Sequence, residues 1–289
     1  MIAFFKNVVS YFFNSNTFQK GAALAYYTVF SLFPIIIVIT SILGLVFGKQ
    51  AVSGEIFNQL KDVLGNEASL QIQEIIKNQH TNHNSVFTAL LGFATLILSA
   101  SGMFSQIHNA FNSIWNIKEK PKNSLIKYFT KHLLSFLILI SLFFILIIST
   151  SINSFLLKHS NHLQDNYLLS YAFEHIISFL VTSVMFSIMF MYLGDAKIKL
   201  KPVIISGLFT SFLFLIGKYV ISFYLSKSHI STTFGATSIL VLIMLWVYYT
   251  SQIIFLGASF LKVLSDKLNL PILPNENSVK IVQQEIEHK

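Results

Sequence analysis

An all-α, polytopic membrane fold with six transmembrane helices is the architecture this sequence predicts, and three observations lead to it. Six apolar runs reach the roughly 20 residues that a helix needs to cross a hydrocarbon core of about 30 Å. The 289 residues are 54% hydrophobic and only 11% charged, so six spans leave too little chain for a separate soluble domain of ordinary size. Lysine, finally, alternates between plentiful and scarce in successive connections, as it does when a chain crosses a membrane repeatedly. Helices are the only open-ended choice for the runs, because a helix satisfies its own backbone where no water can.

The first element precedes the spans. Phe4, Phe5, Val8, Val9, Phe12 and Phe13 recur at helical spacing, without the basic start and small-residue cleavage site of a removable signal. The segment reads as a short amphipathic helix lying in the membrane interface.

The spans follow at about Ala22 to Phe47, Val86 to Ile107, Leu133 to Leu156, Ser170 to Leu193, Val203 to Leu225 and Ala236 to Leu261. In the first, Pro34 removes one helix hydrogen bond and clashes with the preceding turn, which predicts a kink; Ser31 and Thr28 are placed to satisfy the freed carbonyls. The long connection from Gly48 to Ser85 carries Ile56, Leu60, Val63 and Leu64 at helical spacing, and then Ile72, Ile75 and Ile76. Two further short amphipathic helices are expected there, serving either as a lid or as a hairpin resting on the bundle or headgroups.

The second span bears Ser99, Gly102, Gln106 and Asn109 on one face, with His108 and Asn112 nearby. Small residues allow close helix approach while amides and an imidazole want partners, so this helix should line the interior, as a packing surface or a conduit. Glu174 and Lys218 are the costly side chains of the fourth and fifth spans. Helical rise puts them about 6 Å and about 10 Å from the same surface, within reach of each other. They form an outward-opening polar site on one reading; on the other, Lys218 snorkels and Glu174 sits in headgroup water. In the last span Trp246, Tyr248 and Tyr249 lie too deep for an interfacial belt, so Tyr248 and Gln252 need internal partners or water.

Beyond the spans, the chain divides into a membrane domain over 1–270 and a polar tail over 271–289, expected to be mobile. Lysine supplies all 20 basic residues, and its distribution sets the orientation. Lys6 and Lys20, then Lys118, Lys120, Lys122, Lys127 and Lys131, then Lys197, Lys199 and Lys201, then Lys262, Lys267, Lys280 and Lys289 fall on one side. The other side has only Lys49, Lys61, Lys77, Lys158 and Lys227, so both termini are expected in the cytoplasm. The net charge of +8 is explained by that bias and by contact with anionic lipid, not by nucleic acid.

Chemistry has little to rest on. The chain has no cysteine, which excludes disulfides, thiolate metal sites and cysteine nucleophiles. No phosphate-binding glycine loop or zinc-protease helix is present. The histidines of the outer segments, His80, His83, His159, His162 and His229, lack a third ligand fixed by sequence, so neither a metal nor a cofactor is expected. The sequence thus predicts a protein that is not an enzyme.

Several short stretches together resemble the YihY/BrkB family of bacterial inner-membrane proteins. They are Ala23-Leu24-Ala25-Tyr26-Tyr27-Thr28 running on to Ser31-Leu32-Phe33-Pro34, Ala110-Phe111-Asn112-Ser113-Ile114-Trp115, and Gly217-Lys218 with Phe223-Tyr224. Phe234-Gly235-Ala236, Leu245-Trp246-Val247-Tyr248 and Gly257-Ala258 complete the pattern. The family usually continues the last of these with a glutamate; here Ser259 stands in its place, so no role of that carboxylate transfers. The resemblance implies a six-helix protein of the bacterial inner membrane, variously labelled virulence factor, ribonuclease or transporter. The ribonuclease label fits poorly, since RNA hydrolysis needs metal-binding carboxylates or paired imidazoles beside a basic groove. What remains is a translocator of a lipid, lipid-linked or small amphiphilic substrate in envelope maintenance, or a structural scaffold of the envelope. Glu174, Lys218, Pro34, Ser31, Gln106, Asn109, Tyr248 and Gln252 are the candidate residues of a substrate path.

Overall fold

The computed structural model describes residues 2–30, 70, 101–120, 167–227 and 238–281, with the backbone alone at 167–174, 222, 225–227 and 238–239. The described chain is mostly helical. Helix α1 spans Ile2–Asn14, and helical residues 17–30 and 101–114 form α2 and α3. Strand β1 is Ile117–Glu119, helix α4 Tyr167–Tyr192, strand β2 Ala196–Lys197 and helix α5 Leu200–Lys227. Helix α6, Ser238–Lys267, is followed by β3, Leu273–Pro274, and β4, Ser278–Lys280.

Among the described residues, three stretches are long and apolar enough to cross a membrane, His175–Tyr192, Leu200–Ile221 and Leu240–Lys267. They coincide with the fourth, fifth and last expected spans, as a polytopic membrane protein requires. The first three expected spans, Pro34 and Ser31 included, lie largely or wholly outside the described residues, as do the connection from Gly48 to Ser85 apart from Leu70 and the histidines of the outer segments.

The helices stop where local chemistry stops them. Asn16, Asn116 and Asn269 each take a left-handed backbone, with φ of 52°, 56° and 55°. Asparagine tolerates that region better than other residues with a Cβ, because its short amide bonds locally. At the end of α6 the pattern is complete: Leu270 N–H bonds Ser265 O at 3.0 Å and Asn269 N–H bonds Asp266 O at 3.2 Å, the reversed pairing that closes a helix.

Two compact units divide the chain, Met1–Thr17, Ile107–Leu215 and Ile253–Lys289 in the first, and Phe18–Gln106 and Ile216–Gln252 in the second. The core of the first unit is aromatic. Phe111, Trp115, Phe186, Phe190 and Phe255 are all but fully buried, with Phe111 5.5 Å from Phe190 between ring centroids. Hydroxyls inside this apolar packing close on their own helices: Ser183 donates to Phe179 O and Ser187 to Ser183 O, both at 2.7 Å, and Thr210 to Ser206 O at 2.7 Å. Ser211 reaches from α5 to Phe179 O on α4 at 3.1 Å, an interhelical bond of the kind that joins membrane helices.

Two expectations change here. The fold is not wholly α, because β1 pairs antiparallel with β4 and β2 with β3. Strands of two or three residues are too short to show an alternating pattern in sequence. The tail, expected to be mobile from Pro271, is instead docked through residue 281: Ile272 is buried, Ile281 N–H bonds Asn116 O at 2.8 Å, and Lys120 N–H bonds Asn277 O at 2.9 Å.

Candidate functional site

Within the first unit, polar side chains converge on Asp195, in the short turn between α4 and β2. Its Oδ2 accepts from His108 Nε2 at 3.0 Å and from Asn112 Nδ2 at 3.0 Å, and its Oδ1 accepts from Asn275 Nδ2 at 3.2 Å. Its backbone takes part as well: Asp195 N–H donates to Asn112 Oδ1 at 2.9 Å, and its carbonyl accepts from Asn275 N–H at 3.0 Å and Ser278 Oγ at 2.9 Å. Asp195, His108, Asn112 and Ser278 are all buried. A carboxylate taken out of water is tolerated only when donors surround it, and three side chains do so here. Donation from Nε2 requires the ring tautomer that carries its proton there.

This hub ties the end of α3, the α4–β2 turn and the docked tail into one corner. Trp115 completes it: its indole Nε1 donates to Ala258 O at 3.1 Å, joining the two sequence stretches 110–115 and 257–258. Gly194 lies against the indole so closely that a Cβ there would overlap the ring. Ser259, where a glutamate was the alternative, is buried and bonds Phe255 O at 2.9 Å within its own helix.

Two lysines of the same unit form ion pairs. Lys262 is buried and pairs with Asp266 Oδ2 at 2.9 Å one turn on, while Lys197 meets Glu276 Oε1 at 3.4 Å where both are exposed. The Lys262–Asp266 pair, with its amine buried and its carboxylate exposed, is the less screened of the two.

The second unit holds a smaller polar locus. Ser251 Oγ donates to Tyr248 O at 2.6 Å and receives Gln252 Nε2 at 3.2 Å. Gln252 Oε1 is buried with no hydrogen-bond partner among the described residues. Gly21 of α2 packs directly on this pair, and a Cβ at Gly21 would overlap both Gln252 Nε2 and Ser251 Oγ. One step along, Thr28 donates to Leu24 O at 2.8 Å and lies 3.3 Å from Met103 Sδ, while Gly102 faces the ring of Tyr27.

Of the expected path residues, the side chains of Gln106, Asn109, Lys218, Tyr248 and Gln252 are among the described ones. Tyr248 and Gln252 share the locus beside Gly21, and Gln106 is half-buried on α3. Asn109 is exposed, contrary to the expectation that it faces the interior with Gln106. The reason is helical phase: near the end of α3 the buried side is carried by Ile107, His108, Phe111, Ile114 and Trp115, and Asn109 falls opposite them. Lys218 is exposed on α5 among the exposed Ile216, Tyr219 and Val220. That placement suits an amine that snorkels along apolar surface. Glu174 lies in α4, but its side chain, like Pro34 and Ser31, is outside the described residues.

Sequence reasoning missed Asp195, Asn275, Ser278 and the partnership of Gly21 with Gln252. One signal was available, because Asp195 is the lone acid in a short connection otherwise charged by lysine.

Comparison with known proteins places the chain. The pattern of the family described as "Virulence factor BrkB" matches residues 8–280. A UPF0761 membrane protein of Psychrobacter sp. (strain PRwf-1) is 28% identical over 260 residues, covering 88% of this chain and 47% of the relative. One from Saccharophagus degradans is 23% identical over 266 residues, covering 91% and 60%, and one from Coxiella burnetii 25% identical over 248 residues, covering 83% and 84%. The chain thus spans about half the length of the Psychrobacter protein. No solved structure matches it. With a family pattern matched from the middle of α1 to the end of β4, the chain belongs to the BrkB (YihY) family of multi-pass membrane proteins.

Proposed function

We propose that this protein is a non-enzymatic translocator of a lipid, lipid-linked or small amphiphilic substrate in the bacterial inner membrane, with both termini in the cytoplasm. The observation that carries this reading is Gln252. Its Oε1 is buried and unpaired among the described residues, inside a stretch apolar enough to span a membrane. Leaving such an acceptor unsatisfied costs about 1–3 kcal/mol. A site that keeps this cost in hydrocarbon is a natural place for a transient polar partner, such as a substrate headgroup or ester. Gly21, the Ser251 hydroxyl and the Tyr248 carbonyl make the locus small and polar, which suits the headgroup of an amphiphile.

Orientation and compartment rest on the lysine bias and on the family. The absence of catalysis is argued from chemistry: His108 and Asp195 are buried and use their bonding capacity on each other and on Asn112 and Asn275. The alternative reading, a structural protein of the envelope, is favoured by that same hub, which fastens one corner of the molecule.

Native mass spectrometry of protein released from its own membrane separates the two. A translocator retains one lipid or lipid-linked species through delipidation and loses it in Gln252→Leu. Only bulk lipid, unaltered by the substitution, would overturn the proposal.

A further inference from the structure

Helix α1 presents three faces. Val8 and Phe12 are buried, and Val8 clusters with Phe260 and Val263 of α6, with Phe4 and Tyr11 packed alongside. Phe4 meets Phe260 edge-on at 5.4 Å. Lys6, Asn7, Ser10 and Asn14 occupy a polar arc. Between these faces runs a third stripe, Ile2, Phe5, Val9 and Phe13, which is 87%, 48%, 47% and 57% exposed. Spacings of three and four keep the stripe on one side of the helix. A surface helix that merely covered the core would be polar on that side.

The position of α1 says what meets the stripe. The helix packs on the last turns of α6, the end of a stretch long and apolar enough to cross a membrane, and these turns carry its charges, Lys262, Asp266 and Lys267. Lys267 Nζ stands 5.3 Å from the Phe4 ring centroid. A membrane boundary falls where the apolar run of a spanning helix meets its first charges. The stripe is therefore level with the edge of the hydrocarbon, and the lysines of these last turns are level with the headgroups.

We propose that the Ile2, Phe5, Val9 and Phe13 stripe of α1 is a membrane-docking surface, seated in the acyl–headgroup boundary of an anionic phospholipid leaflet, with Lys6 and Lys267 toward the phosphates. Aromatic and aliphatic residues on one face with lysine at its edge are the chemistry of an interfacial helix, which reaches about 5–10 Å into the boundary. Anionic lipid adds attraction for each nearby lysine. The surface rests on the multi-pass character of the protein and stands whether or not it translocates anything.

The chain has no cysteine, so single labels can be introduced without removing native ones. Full-length protein carrying Phe5→Cys, Val9→Cys, Phe13→Cys, Ser10→Cys or Asn14→Cys is nitroxide-labelled and placed in nanodiscs of phosphatidylethanolamine and phosphatidylglycerol. Accessibility to oxygen, which concentrates in lipid, is compared with accessibility to a water-soluble nickel complex. The expected result is high oxygen and several-fold lower nickel accessibility at 5, 9 and 13 than at 10 and 14, with labels 5, 9 and 13 moving toward water in nanodiscs of phosphatidylcholine alone. Nickel accessibility equal at all five sites, meaning a solvated helix, would overturn the proposal. So would protection from both reagents at 5, 9 and 13, meaning a second copy or another protein covers the stripe.

Discussion

Asn112 and Asp195, 83 residues apart, hold each other in both directions: the amide Nδ2 donates to Oδ2 at 3.0 Å, and the amide Oδ1 accepts the Asp195 N–H at 2.9 Å. The pair works because one side chain offers a donor and an acceptor while the other offers a carboxylate beside its own peptide N–H. Breaking it from either side leaves buried groups unpaired. Asp195→Ala strands donors from His108, Asn112 and Asn275 and is expected to lower stability by about 3–5 kcal/mol. Asn112→Ala, which leaves the carboxylate with its remaining donors, should cost about 1–3 kcal/mol. Thermal unfolding in detergent, followed by circular dichroism, checks the order; equal stability of Asp195→Ala and wild type would contradict the hub.

Trp115 reports on the same corner. Gly194→Ala drives a methyl group into its indole, and such overpacking costs about 1–3 kcal/mol. With Trp246→Phe as background, since the chain has only 2 tryptophans, the emission of Trp115 should shift to the red as the ring is displaced. An unchanged spectrum and midpoint would mean the ring is not held against Gly194.

The left-handed Asn269 at the end of α6 gives a local test. Asn269→Gly is expected to be neutral or slightly stabilising, and Asn269→Val to destabilise by about 1–2 kcal/mol, because a β-branched residue does not accept positive φ. Equal unfolding midpoints for the two variants would contradict the cap.

The docked tail yields a fourth expectation. Ser278 donates to Asp195 O at 2.9 Å and Ile272 is buried, so ending the chain at Leu270 exposes apolar surface and strips the Asp195 carbonyl of its Ser278 and Asn275 donors. The truncated protein should unfold several degrees lower, as an added loss of about 2 kcal/mol implies for a domain of this size. Retention of the full midpoint would show that the tail contributes nothing.

The fourth, fifth and last spans were legible because length and hydropathy are coarse properties that survive any packing. Expected limits of Ser170 to Leu193 and Val203 to Leu225 fall within a few residues of α4 and α5. Family kinship was legible from short stretches, two of which meet where Trp115 bonds Ala258. The Asp195 hub was not, because its members come from three distant segments and nothing local distinguishes a loop aspartate in water from one in a core. The strands were too short for any period, and the polar Pro271 onward resembled a free tail because the alternation that buries Ile272 and Ser278 is broken by a turn. Lys218, for which the sequence left two readings open, lies among the exposed Ile216, Tyr219 and Val220, a setting that suits the snorkelling one.

The measurement that bears most directly on the proposed function is lipid scrambling in vesicles, with purified protein and a fluorescent phospholipid whose outward-facing copies are bleached by a membrane-impermeant reductant. The account predicts that wild-type protein raises the bleachable fraction above that of empty vesicles. Gln252→Leu, which replaces the amide bearing the unpaired Oε1 by an apolar side chain of similar size, should abolish that rise while unfolding no earlier than wild type, and Lys218→Met should largely retain it. Equal scrambling by wild type and Gln252→Leu, or none by wild type, would contradict it.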